Sequence, residues 1–257
     1  MIGSALGAQG SSAAYVLGLA DDAMVYAQRL GEWMTNAPQL EEDMALGNIA
    51  LDLLGQARAL YPHVGSLDGT GRSEDDFAML RDERGWRNVH LVEQERGDFG
   101  QEMARLLWFS TYQRELYAAL LASSDAVVSG VAGKALKEVR YHGDHAALWV
   151  VRLGDGTEES HRRMQAGLEW VLPYLPELFF DDDASVAAAG AGTGVLPSSL
   201  HEAVTAHVAA VCEEATLDLH APSWRARGGR AGIHSKPMGY LLAEMQHIAR
   251  SHPGATW

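Results

Sequence analysis

A chain of 257 residues is long enough for one sizeable domain with a full core. Its 47% apolar and 21% charged residues are ordinary for a globular protein. The 34 acidic against 20 basic side chains leave a net charge of −14, which argues against nucleic acid as a partner, because a phosphate backbone needs a cationic footprint. The single cysteine, Cys212, excludes a disulfide framework and a cysteine-built zinc or iron–sulfur site, and no run of 18 apolar residues exists to span a membrane.

In chain order, residues 1–12 are rich in Gly, Ser and Ala and read as a flexible arm. They have neither a basic n-region nor a long apolar h-region, so no signal peptide is expected and the cytoplasm is the expected compartment. A first helix is expected from about Ala13 to Thr35, stopped by Asn36-Ala37-Pro38. The stretch Leu40–Leu60 comes next, and at helical spacing it is apolar almost all round: Leu40, Met44, Leu46, Ile49, Leu51, Leu53, Leu54, Ala57 and Leu60. Such a helix belongs inside a larger helical protein. Its one polar line is Asn48, Asp52 and Gln56, in steps of four. A buried carboxylate at Asp52 needs a cation, a set of donors or a metal.

The helix is expected to end near Tyr61-Pro62, before the Gly-rich GSLDGTGR. Ser73 with Asp76 has capping spacing for a short helix, and Arg81, Arg84 and Arg87 form a basic cluster beside Trp86. Further helices are expected from about Asp98 to Ala122 and from Asp125 to Leu153. After the GDGT turn, Thr157 can cap another that Pro173 and Pro176 terminate. Residues 181–197, DDDASVAAAGAGTGVLP, read as a mobile Ala/Gly spacer. A helix over about Pro197–Leu219, a Gly-rich loop and a last helix, PMGYLLAEMQHIAR, complete the chain. The acidic runs at 41–43, 74–76 and 181–183 fit solvated helix starts and loops. With no internal repeat and no run of strands, the pattern implies an all-α bundle, residues 13–257 forming a single domain.

Bundles that hold two irons use a Glu from each of two helices and a Glu-x-x-His pair from each of two others. In the core helices that spacing fails: Asp52 is followed at +3 by Gly55, and Glu138 by Tyr141, with His142 one place late. It occurs at Glu158–His161 and Glu244–His247, the first in the opening turn of a helix where Glu is favoured by the dipole. Glu138, His142 and His145 share a helix face and are the fallback ligand set for a metal; the competing reading pairs Glu138 with Lys134 or Arg140. Neither GTGR at 69–72 nor ARGGR at 226–230 follows a strand, so no nucleotide loop is inferred. No catalytic triad is evident. Cys212, in an apolar helical stretch, reads as a buried structural thiol.

Four segments together carry a resemblance: LEEDMALGNIALDLLGQAR (40–58), RDERGWRNVHLVEQERGDF (81–99), KALKEVRYHGDHAALWVVRLGDGTEE (134–159) and LLAEMQ (241–246). They resemble the PaaC-type subunit of the multicomponent phenylacetyl-CoA epoxidase of phenylacetate degradation, over most of residues 15–257. The resemblance implies a ferritin-like four-helix bundle with additional C-terminal helices. It also implies a non-catalytic, structural subunit with no cofactor of its own. Its partner would be a homologous catalytic subunit that holds a di-iron centre and binds the CoA thioester; self-association stays open. Asp52, Gly55, Glu138 and Tyr141 would then be a degenerate core site, with Gly55 and Tyr141 where imidazoles are needed. Its carboxylates would be neutralised by cations such as Lys137, Arg140 or Arg58, or by a hydrogen-bond network inside the bundle. Arg81, Arg84 and Arg87 would border the CoA path or dock an acidic partner surface, the competing reading being solvated arginines with no role. An independent metal-binding oxidoreductase using Glu138, His142 and His145, or the two Glu-x-x-His pairs, is the alternative.

Overall fold

The computed structural model describes residues 2–255, with side chains from Ser12 onward. Among these residues there are helices and no strand. In order they are α1 (Ile2–Gly31), α2 (Leu40–Leu67), α3 (Glu74–Ala78), α4 (His90–Glu93), α5 (Phe99–Leu120), α6 (Ala126–Gly154), α7 (Glu158–Val171), α8 (Leu175–Leu178), α9 (Asp183–Gly190), α10 (His201–Glu214) and α11 (Lys236–Ser251). The fold is all-α, in keeping with a ferritin-like helical protein. The sequence reading treats 13–257 as one domain; the chain gathers into two compact units, Met1–Glu95 with Arg227–Trp257, and Arg96–Ala226.

In the first unit α1 and α2 pack along each other, and α4 and α11 join α1. α2 buries Leu46, Ile49, Leu53, Leu60 and Val64, which recur at the three- and four-residue steps of one helix face. Its other side is open. Leu40, Met44 and Leu51 are 70%, 62% and 65% exposed, and Asn48 is exposed with them. The expectation that α2 is covered all round therefore fails: an apolar sequence fixes what a helix can bury, not what packs against each side. α2 also runs on through Pro62 to Leu67. Pro62 and Arg58 lie on the exposed side, where the Arg58 carbonyl that loses its helical donor is at the surface rather than in the core. The helical backbone of α1 begins at Ile2, within the stretch expected to be a flexible arm.

In the second unit α5 packs against α6, α7 and α10. Here the helix with almost no wet face is α5, which buries Met103, Leu106, Leu107, Phe109, Tyr112 and Leu116 among others. Asp98 caps it, accepting from the Gln101 backbone N–H at 2.9 Å. α7 comes so close to the start of α5 that a Cβ on Gly167 would stand 2.7 Å from the Gly100 backbone. The expected spacer 181–197 contains α9 instead, with Asp182 accepting from Ser185 N–H at 2.7 Å and Ser185 and Ala188 buried. Alanine, read as compositional bias, is also the best helix former, and an aspartate in front of it supplies the cap.

Candidate functional site

The interior of the first unit is held by carboxylates. α1 carries Asp21 and Asp22 side by side, both buried. Asp21 accepts from Tyr61 Oη at 2.8 Å, Arg81 Nη1 at 2.9 Å and the Arg87 backbone N–H at 2.8 Å, while Arg81 Nη2 reaches its other oxygen. The Arg81 guanidinium also donates to the Gly85 carbonyl at 2.9 Å and lies 4.2 Å over the Trp86 ring. Burial, reinforced by the Asp21 charge, pushes the Tyr61 hydroxyl well above its ordinary range, so it remains a donor.

Asp22 accepts from the Val89 N–H at 2.8 Å and from Arg230, whose Nη1 and Nη2 lie 3.0 and 2.6 Å away. Arg230 Nη1 also donates to the carbonyls of Gly18 and Arg87, at 2.9 and 2.7 Å. Burial still outweighs this cation and lifts the Asp22 carboxyl to about 6. A third buried carboxylate, Glu93, faces His234 Nδ1 at 2.7 Å and accepts from Ser235 N–H at 2.6 Å and Asn88 Nδ2 at 2.8 Å. His234 Nε2 lies 3.2 Å from the Trp86 carbonyl. In the second unit, Glu102 and Arg105 form a fully buried ion pair on α5, and Arg105 lies 5.6 Å over the Trp170 ring.

Asp21, Asp22 and Glu93 escaped the sequence reading. The available signal was the adjacent acidic pair inside the apolar LGLADDAMVY, which no local spacing could match to arginines 60 and 208 residues away.

The residues picked from the sequence are placed differently. Asp52 and Gly55 are half-buried on α2 in the first unit; Glu138 and Tyr141 are on α6 in the second. Arg58, a proposed cation for this set, pairs with Glu74 at 3.1 Å instead, and Lys137 and Arg140 are exposed. Glu138 is 3.5 Å from Lys134, one helical turn away, as the competing reading of that helix had it. His142 is buried, and the half-exposed Tyr141 lies beside both His142 and His145.

Glu158 is exposed, and His161 Nδ1 sits 2.7 Å from the Gly154 carbonyl, closing the end of α6. Glu244 and His247 are both exposed on α11. Among the described residues, no group of three or more His, Cys, Asp or Glu side chains could hold a metal ion. Asp21, Asp22 and Glu93 in the first unit and Glu102 in the second each face a guanidinium or imidazole group, the surroundings of an ion pair rather than of a di-iron centre; Glu42 and Glu177 are buried as well.

The basic cluster is also broken up. Arg81 is buried on Asp21, Arg87 Nη1 is spent on the carbonyls of Arg84 and Trp86 at 2.7 Å each, and Arg84 alone of the three is exposed. Cys212 is buried, and burial lifts its thiol to about 11, as suits a structural side chain.

A family model described as phenylacetic acid catabolic protein matches residues 7–257. The chain belongs to this family. A relative of similar length is the C subunit of the 1,2-phenylacetyl-CoA epoxidase of Escherichia coli (strain K12). It is 41% identical over 244 residues, which cover 95% of this chain and 98% of the relative. For this member of the phenylacetic acid catabolic family, the resemblance read from four segments thus extends over nearly the whole length. No described helix is long and apolar enough to cross a membrane.

Proposed function

We propose that this chain is a non-catalytic, structural subunit of a phenylacetyl-CoA epoxidase in aerobic phenylacetate degradation. It would stand beside a homologous catalytic subunit that carries the di-iron centre and binds the CoA thioester. The observation that carries this reading is the end-to-end identity with the C subunit of such an epoxidase. The interior chemistry supports it: carboxylates engaged by Arg81, Arg230 and His234 brace helices, and their lone pairs are not offered to a metal. The cytoplasm is the compartment this reading requires, since the substrate of such an assembly is a highly charged CoA thioester.

Reconstitution tests it. The purified chain is mixed with a homologous di-iron subunit and the electron-donating components, and complex formation is followed by size exclusion alongside epoxide formation and iron content. The chain alone is expected to give no epoxide and to retain no stoichiometric iron after incubation with Fe(II). With the catalytic subunit it is expected to form a complex and raise activity. Stoichiometric iron in the isolated chain that is lost on Glu138→Ala would overturn this in favour of the independent metal-binding reading.

A further inference from the structure

α11 leaves part of the first unit's surface open. Two concavities run along it, one of about 310 Å³ lined by Glu83, Gly239, Leu242 and His247, the other of about 680 Å³ lined by Met79, Leu80, Met245 and Ile248. Arg250 lines both, and the two overlap along α11, a helix of 16 residues, roughly 24 Å long. The larger is apolar where a surface should be wet: Leu80 is 54% exposed and Ile248 58%. Met79 and Met245 add side chains that can reshape to an incoming surface.

The charge along this cleft is one-sided. Asp75 lines the larger concavity, and Asp82 and Glu83 the smaller. Among the described residues that line it, the guanidinium of Arg250 is turned onto the chain itself: its Nη2 donates to the Leu80 and Arg81 carbonyls at 3.1 and 2.8 Å and to Asp82 at 3.1 Å, and its Nε to the Met79 carbonyl at 3.3 Å. Besides the carboxylates, the other titratable groups facing the cleft are His247 and His252. A partner must therefore bring apolar side chains for Leu80 and Ile248 and positive charge for Asp75 and Glu83. An amphipathic helix meets both demands over the length available, since its anchors recur on one face at three- and four-residue steps.

We propose that the α11 cleft docks an amphipathic helix of another protein, apolar on one face and bearing lysine or arginine at its margins. This goes beyond the subunit role above and holds whichever protein carries the helix. The probe is a fluorescein-labelled helical peptide of leucine and lysine, as long as α11, titrated with the full chain by anisotropy. Saturable binding is expected, weakened about tenfold or more in Leu80→Gln/Ile248→Gln, which removes the apolar anchors and adds no charge. Binding should be unchanged in Leu148→Gln, which alters a comparably exposed leucine on α6. A peptide with glutamate in place of lysine is expected not to bind.

Because Cys212 is the only cysteine and is buried, Ile248→Cys supplies one accessible thiol for a photo-crosslinker, which is expected to capture the leucine–lysine peptide. Equal affinity for the cleft variant and the native chain, equal binding of the glutamate peptide, or no crosslink from the Ile248→Cys variant would each overturn the proposal. So would a self-associated form in sedimentation that the cleft variant dissolves, which would seat a second copy there.

Discussion

Asp21 meets Arg81 across 60 residues of chain, Glu93 meets His234 across 141, and Asp22 meets Arg230 across 208, all inside the first unit. In the second unit the ion pairs are local: Glu102 with Arg105 and Lys134 with Glu138 lie within one helical turn, as does Glu159 with Arg162 and Arg163. There distant segments meet through close packing, with Gly167 of α7 against the backbone of Gly100, and through hydrogen bonds that form no ion pair, as between the Gln165 amide and the Asp218 backbone at 2.9 and 3.0 Å. Buried pairs add little over a well-packed apolar core, but removing one partner strands a charge. The first unit thus uses charge to say which segments belong together, and the second uses shape.

The largest effect that this contrast predicts is at Arg81. Arg81→Met leaves the buried Asp21 without its cation and is expected to destabilise the chain by about 3–5 kcal/mol in urea unfolding. Adding Asp21→Asn to it should restore much of the loss. A double variant no better than Arg81→Met would show that the pair does not set the cost.

Asp22 sharpens the comparison through pH. Its carboxyl titrates at about 6 in the folded chain against an ordinary 3.8, so the folded state holds the extra proton between those values. Stability from this group is complete below about 3.8 and is lost as pH rises through about 6. Measured against Asp22→Asn, the native chain should lose on the order of 3 kcal/mol between about pH 4 and about pH 7. A pH-independent difference would contradict the burial argument.

In the second unit, Gly167→Ala forces a methyl group against the Gly100 backbone, where nothing flexible can give way, and should cost about 1–3 kcal/mol. No pH dependence should accompany that loss. The smallest effect belongs to Glu159→Ala, which breaks two solvent-exposed pairs on α7 and should leave the unfolding midpoint where it was.

Much of the helical layout was legible because it is local. Ser73 with Asp76, and Thr157 before α7, are capping signals read from three-residue spacings and found as hydrogen bonds. Likewise, the pairing of Glu138 with Lys134 needs only one helical turn. What stayed hidden is non-local. The apolar periodicity of α2 does not reveal that Leu40, Met44 and Leu51 have nothing packed over them, whereas α5, with Glu102 and Arg105 in its sequence, is buried nearly all round. Asp52 drew attention because it is the carboxylate on the one polar line of an apolar helix, yet the acids that organise the first unit are Asp21, Asp22 and Glu93. Their partners lie in loops and in the returning segment, where no periodicity operates. Family membership was legible because it depends on residue order over long segments, which survives where single contacts cannot be inferred.

The return of residues 227–257 to the first unit has a consequence for synthesis. On the ribosome, Asp22 and Glu93 emerge 208 and 141 residues before Arg230 and His234, whereas Arg96–Ala226 is one uninterrupted stretch. The part of the first unit that is translated early is completed only after the second unit has been made, and nascent α1 carries Asp22 without Arg230 throughout the synthesis of Arg96–Ala226.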